Sequence, residues 1–308
     1  MKNNTFSDIL GIEQFSAQDL LSIIDRARLF TEKGIPSDVL RGAVVGPLFF
    51  EPSTRTRLSF EAAVHRLGGS VIGFENTEST SITKGETFED TIRMVDGYVD
   101  FLVVRHPEAG AAQRAASVAE HAVINAGDGA HEHPTQSLLD LFTIAQSQGS
   151  LEKPLKIAFV GDLKYGRVPH SDAKALALFS NIEQYWVAPD ALRMPDDVRA
   201  YVQSKGVTVV ETADVANVLP EADIVVMTRV QKERFADVAE YEKVKDVYIL
   251  TPEMCMSIKK SMRILHPLPR RYEIPESIDA LPQAYYFQQA RFGVPVRAAL
   301  LSLIVENQ

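Results

Sequence analysis

Ala43-Val44-Val45-Gly46-Pro47-Leu48-Phe49-Phe50-Glu51-Pro52-Ser53-Thr54-Arg55-Thr56-Arg57 is the stretch on which the fold turns. From Ala43 to Phe50 it is an almost unbroken apolar run, the pattern of a strand buried on both faces of a sheet. Glu51-Pro52 ends the run, Ser53-Thr54 supplies a helix cap, and helical spacing then continues to Gly68-Gly69. A strand, a loop and a helix in that order are the repeating unit of an α/β fold. The same junction carries chemistry. There the first free N–H groups of a helix, several hydroxyls and a guanidinium can converge on one anion, usually phosphate. A plain Ser/Thr cap with two solvated arginines is the competing explanation, and this stretch alone does not separate the two. It is not a P-loop, because GxxxxGK followed by Ser or Thr occurs nowhere in the chain.

Outward from this unit, short apolar runs recur at Val71 to Phe74, Phe101 to Val104 and Ala122 to Ile124, separated by helical spacing. Upstream, Ser16 precedes Ala17-Gln18-Asp19 and apolar Leu20, Leu21, Ile23 and Ile24, which predicts a capped amphipathic helix to about Thr31. Downstream, the polar, turn-rich stretch from Gln146 to Pro154 predicts a domain boundary ahead of a strand at Lys156 to Val160. Strands near Gln184 to Val187, Val207 to Val210, Ile224 to Met227 and Val247 to Leu250 follow, as in an open doubly wound sheet. Val294 to Glu306, with Pro295 near its start and apolar Val296, Leu300, Leu301 and Ile304, predicts a last helix. The expectation is an α/β protein of two doubly wound domains, each around a central, mainly parallel sheet. Residues 1–150 form the first, to which the C-terminal helix, 290–308, returns, and residues 151–289 form the second.

Composition agrees with this and excludes other classes. A chain of 308 residues, 45% hydrophobic and 24% charged, is ordinary for a globular protein, and roughly 150 residues per domain gives two domains. Cys255 is the only cysteine, which rules out an intrachain disulfide and a CxxC zinc or redox site, and makes a reducing cytoplasm the expected location. Thirty-two basic against 41 acidic residues, a net charge of −9, argue against nucleic-acid or anionic-membrane partners. Met1 to Ser7 lacks the basic and apolar regions of a secretory signal, and no apolar run approaches the roughly 20 residues of a membrane span.

Further polar clusters fall where strands should end, which is where open α/β sheets bind ligands. Arg105-His106-Pro107 follows one strand, and His133-Pro134-Thr135-Gln136 opens a helix after the glycine-rich Ala126 to Gly129. Singly, each has an ordinary structural explanation: a surface ion pair for Arg105, a locally bonded helix start for His133, a capping partner for Gln136. Gly161-Asp162 after the Lys156 strand hints at a dinucleotide fold, but the other glycines of GxGxxG are missing.

Taken together with His266-Pro267-Leu268-Pro269-Arg270, the Ser53 to Arg57, Arg105 and His133 clusters resemble the aspartate/ornithine carbamoyltransferase superfamily, in its order and spacing. Ser81-Ile82-Thr83-Lys84-Gly85-Glu86-Thr87, Gly161-Asp162-Leu163-Lys164-Tyr165-Gly166-Arg167 and Thr228-Arg229-Val230-Gln231 narrow the resemblance to the catalytic chains of the aspartate branch, over nearly the whole chain. The ornithine branch typically has a cysteine in each of its HPCQ and HCLP segments, where this chain has Thr135 and Pro267. Two departures from the family pattern are Val168-Pro169 after Arg167, and Arg271 after Arg270. Pro169 removes a backbone donor near the substrate loop.

The resemblance implies transfer of the carbamoyl group of carbamoyl phosphate to the amine of L-aspartate, a step toward pyrimidines. The electrophile is already activated, so neither a covalent nucleophile nor a metal or other cofactor is called for. By the same resemblance Ser53, Thr54, Arg55 and Thr56 hold the phosphate, Thr56, Arg105 and His133 surround the carbamoyl oxygen, and Gln136 with the carbonyls of Leu268 and Pro269 takes the carbamoyl NH2. Arg167 and Arg229, with Gln231 and Lys84, bind the two carboxylates of aspartate, and charges so placed reject a substrate that lacks them. Ser81 and Lys84 reach from a neighbouring subunit, which implies a homotrimer with shared sites and closure of the two domains on substrate. Association with a separate regulatory chain stays open. So do transfer to another amine such as ornithine and a catalytically silent scaffold.

Overall fold

The computed structural model describes residues 5–78, 80–230, 237–244 and 247–307. The chain divides into two compact units, Met1–Phe142 with Phe292–Gln308, and Thr143–Arg291. In the first unit α1 (Ala17–Lys33) opens with a full capping box, since Ser16 and Asp19 exchange side-chain and backbone bonds. There follow β1 (Val44–Phe49), α2 (Thr54–Arg66), β2 (Ser70–Val71), α3 (Phe88–Asp96), β3 (Phe101–His106), α4 (Ala111–Val118), β4 (Ala122–Asp128) and the start of α5 (Pro134–Gln148). The four strands pair in parallel in the order β2-β1-β3-β4. Leu48, Leu102, Val104 and Val123 of the strands pack with Ile92 of α3 and Ala115 of α4.

In the second unit β5 (Leu155–Val160), α6 (Arg167–Leu176), β6 (Ile182–Val187), α7 (Asp196–Ser204), β7 (Val209–Thr212), α8 (Val215–Val218), β8 (Ile224–Met227), α9 (Val238–Val244) and β9 (Arg263–Leu265) alternate. Their sheet is again parallel, in the order β7-β6-β5-β8-β9. Trp186 lies buried on β6, its indole N–H donating to Gln184 Oε1 at 3.0 Å.

The last helix, α10 (Tyr286–Glu306), starts earlier than the pattern predicts and carries Pro295 in its interior. A proline there removes one helical hydrogen bond. The helix continues because Phe292, Val296, Ala299, Leu300 and Leu303, on both sides of the proline, are buried. From Phe292 onward it packs on helices of the first unit: Phe292 meets Phe142 edge-on at 5.0 Å, and Arg26 of α1 pairs with Glu306 at 2.6 Å. The strand expected at Val247 to Leu250 does not form. Val247 and Ile249 are 43% and 37% exposed, so the run is an extended loop, and the fifth strand is β9.

Both sheets share one topological property. The chain leaves β1 for an edge strand and returns to β3 on its other side; it leaves β5 for β6 and β7 and returns to β8 on its other side. Such switch points open a crevice at the C-terminal ends of the two central strands, here β1 with β3 and β5 with β8. Among the described residues no helix is long and apolar enough to cross a membrane.

Candidate active site

Each unit carries its own set of functional groups at its own switch point. In the first, α2 begins directly after the C-terminal end of β1. Ser53 is its N-cap, yet its side chain makes no capping bond, so neither its hydroxyl nor the first amides of the helix are spent on each other. Thr56 is buried in the first turn, while Thr54 and Arg55 are exposed beside it. Desolvation draws the Arg55 guanidinium below its usual pKa, though an arginine remains charged at neutral pH. Arg57 is engaged elsewhere, bound to Glu61 at 2.6 Å and to Glu75.

Arg105 ends β3 across the same crevice. Its Nη1 donates to the Ala126 carbonyl at 3.1 Å and its Nη2 pairs with Glu51 Oε1 at 2.7 Å, so a carboxylate from the β1 loop and a carbonyl from β4 aim the guanidinium. The neighbouring His106 has a different job. Its ring packs against Phe50 and Phe88 at about 5 Å, accepts from the Glu108 N–H, and is pushed below its usual pKa by burial.

His133 and Gln136 sit at the start of α5, both buried. Their loop is fixed from below by Asp128, which accepts from the N–H groups of Gly110 and Glu132, from Asn125 Nδ2 and from His131 Nδ1. Burial would raise the Asp128 carboxyl, but the bonds from His131, Asn125 and Gly110 outweigh it and hold the group below its usual range. Gly129, at φ 54°, passes so close to the turn above it that a Cβ would fall 2.8 Å from the Ala109 nitrogen.

In the second unit Gly161 to Arg167 leaves β5 and Thr228 to Val230 leaves β8, side by side at the switch point. The two loops touch: a Cβ at Gly161 would lie 2.3 Å from the Thr228 carbonyl oxygen, and Thr228 Oγ1 donates back to the Val160 carbonyl at 3.2 Å. Arg167 is the first residue of α6, at the end of the loop leaving β5, and Arg229 follows Thr228 in the loop leaving the neighbouring β8. Pro169 falls in the first turn of α6, where an N–H has no helical partner to lose, so it does not break the helix.

The loop after β9 is held by His266. The Leu268 N–H donates to His266 Nδ1 at 2.8 Å, which places the ring proton on Nε2, where it donates to Glu273 at 2.9 Å. Burial works against the Glu273 charge, but the His266 bond prevails and keeps the carboxyl below its usual range. Leu268 takes φ 56° and joins Pro269 through a cis peptide bond. Arg270 is bound to Asp279 and, at 2.9 Å, to the Tyr286 hydroxyl. Arg271 is exposed, with its N–H on Glu273 Oε1.

Ser81 to Lys84 form one exposed helical turn in the first unit. Gln231 lies outside the described residues. Sequence inspection did not single out Glu51, Asp128, Asp140 or Glu273, the carboxylates that brace Arg105, the His133 loop, Gln136 and His266. Only Asp140 has a local signature, four residues after Gln136 on one helix face.

Comparison with known proteins gives two adjoining family matches. A family model described as aspartate/ornithine carbamoyltransferase, carbamoyl-P binding domain, matches residues 7–146, and its Asp/Orn binding domain counterpart matches residues 153–304. The aspartate carbamoyltransferase catalytic subunit of Thermococcus onnurineus is 50% identical over 299 residues, 96% of each chain. Aspartate transcarbamoylase from Trypanosoma cruzi, solved in complex with carbamoyl phosphate and aspartate, superposes with a TM-score of 0.90 at 42% identity over 96% of each chain. The catalytic subunit of M. jannaschii aspartate transcarbamoylase gives a TM-score of 0.89 at 44% identity, covering 98% of this chain and 99% of that one.

Proposed function

The chain belongs to the aspartate/ornithine carbamoyltransferase family, and on that footing we propose that it transfers the carbamoyl group of carbamoyl phosphate to the amine of L-aspartate, giving N-carbamoyl-L-aspartate and phosphate. The observation that carries the choice of acceptor is the pair Arg167 and Arg229, the first at the start of α6 after β5 and the second just after β8, the strand beside β5. Aspartate brings two carboxylates to meet two guanidinium groups, whereas ornithine brings one. Residues 1–150 with 290–308 then act as the carbamoyl-phosphate domain and residues 151–289 as the aspartate domain.

In this reading the phosphate rests on the α2 N-terminus, held by Ser53, Thr54, Thr56 and the Arg55 guanidinium. Thr56, Arg105 and His133 donate to the carbamoyl oxygen and stabilise it as it becomes an oxyanion. Gln136 and the carbonyls of Leu268 and Pro269 accept from the carbamoyl NH2. The aspartate amine attacks the carbamoyl carbon to form the C–N bond, the C–O bond to phosphate breaks, and a departing phosphate oxygen takes the amine proton. His133 serves as a hydrogen-bond donor throughout. Arg167, Arg229 and Gln231 hold the aspartate carboxylates, joined by Lys84, with Ser81, from a neighbouring subunit of a homotrimer. The step belongs to pyrimidine synthesis in the cytoplasm, and a regulatory chain is a partner compatible with relatives named catalytic subunits.

The deciding experiment offers the purified chain carbamoyl phosphate with either L-aspartate or L-ornithine and resolves the products by mass. Carbamoyl-aspartate alone is expected. Carbamoyl-ornithine would overturn the acceptor assignment, and no product from either would favour a silent scaffold.

A further inference from the structure

Gln136, Asp140 and Arg297 form a buried polar line behind the first unit's site. Gln136 Nε2 donates to Asp140 Oδ1 at 2.9 Å across one turn of α5. Asp140 is fully buried, where a carboxylate survives only with bonded or opposite-charge partners. Arg297 of α10 supplies the charge. Its own burial pushes it down to about 10, with Asp140 opposing, so it stays protonated at neutral pH. Its guanidinium also lies 5.0 Å from the ring centroid of Phe60, on the same helix as Thr56. Space for it is provided by Gly293, where a Cβ would fall 2.5 Å from Arg297 Nη1.

The chemistry of this line has a direction. A carboxylate can only accept, whereas a carboxamide has one accepting and one donating end that are nearly the same shape. Because Asp140 takes the NH2 end of Gln136, the accepting oxygen is the end left for a ligand. We propose that Asp140 is a positioning residue that fixes the Gln136 amide with its oxygen offered to the substrate. The site thereby selects an acyl phosphate bearing NH2 over one bearing a methyl group. This rests on the reading that Gln136 meets the carbamoyl NH2.

The test compares carbamoyl phosphate with acetyl phosphate, which replaces NH2 by CH3 at nearly the same shape, as donors to aspartate. The measured quantity is the ratio of their kcat/KM values, which a general loss of packing would leave unchanged. Gln136→Ala removes the acceptor and Asp140→Asn lets the amide turn over, so each lowers the preference for carbamoyl phosphate about tenfold, the worth of one hydrogen bond. Exchanging the pair, Gln136→Glu with Asp140→Asn, restores it, because the new amide donates to a carboxylate that can only accept from the substrate. The carboxylate moved toward the site slows both donors alike. The exchanged pair keeps the net charge of the buried line and so carries the test even where Asp140→Asn alone fails to fold. A wild-type ratio in Asp140→Asn, with the ratio lost in Gln136→Ala, overturns the role of Asp140 and leaves that of Gln136 standing. A low ratio in the exchanged pair overturns the role of Asp140 as well. A wild-type ratio in Gln136→Ala overturns the role of Gln136 itself.

Discussion

The backbone N–H of Phe50 donates to the carbonyl of Arg105 at 2.8 Å. That bond joins the loop entering α2 to the end of β3, so the helix start proposed to receive phosphate and the arginine proposed to receive the carbonyl oxygen are tied together. Glu51, next to Phe50, reinforces it by pairing with the Arg105 side chain. Glu51→Ala should leave Arg105 charged but badly aimed, lowering kcat/KM for carbamoyl phosphate about tenfold or more. Steady-state kinetics with aspartate saturating reads this directly, and an unchanged value would show that Arg105 aims itself.

Arg167→Lys and Arg229→Lys each keep a positive charge and lose the bidentate fork. The expected result is a fall of about tenfold to a hundredfold in kcat/KM for aspartate, carried mostly by KM. Carbamoyl phosphate binding, measured by calorimetry without aspartate, should not move, because neither arginine is assigned a contact with it.

His133→Asn keeps a donor at the α5 start and removes an imidazole that could act as a base. With phosphate as proton acceptor, turnover should fall by about a hundredfold at most and stay far above the uncatalysed rate. A collapse to the uncatalysed rate would make His133 the base.

Asp128 is held below its ordinary value by its bonds, so in the unfolded chain it binds a proton at a higher pH than in the folded one. Its contribution to stability is therefore whole above about pH 5 and is lost as the pH falls through the unfolded and then the folded value. Asp128→Asn cannot accept all four bonds and should cost about 2 kcal/mol at neutral pH. Urea unfolding from pH 7 to pH 3 should show that gap narrowing toward the acid end.

Shared sites predict complementation. Mixing inactive Lys84→Ala and Arg105→Ala chains should regenerate activity, because some sites in a mixed trimer receive neither substitution. Failure in mixed trimers verified by mass would place Lys84 outside its neighbour's site.

The sequence was most readable where one short segment decides its own structure. The apolar run ending at Phe50, the box at Ser16 and Asp19 and the glycine at Gly161 each act within a few residues, and the helix and strand ends fall where they indicate. β9 escaped notice because it is three residues long and begins with Arg263, too short for any period. The start of α10 escaped because Pro295 reads as a helix opening, and only the packing of Phe292 and Val296 reveals that the helix is already under way. At the candidate site, the polar clusters assigned to substrate were legible as a family pattern. Most of the carboxylates behind them were not: Glu51, for one, pairs with Arg105 across many residues and leaves no spacing to read.

Trp186 is the only tryptophan in the chain, and it is buried on β6 of the second unit. Its emission is therefore a private reporter for that unit: a denaturation curve followed by its fluorescence records the loss of the aspartate-side sheet and is blind to the phosphate-side one. Far-ultraviolet circular dichroism sums both. Overlaid, the two signals show whether the units melt together or one gives way first, with no label introduced.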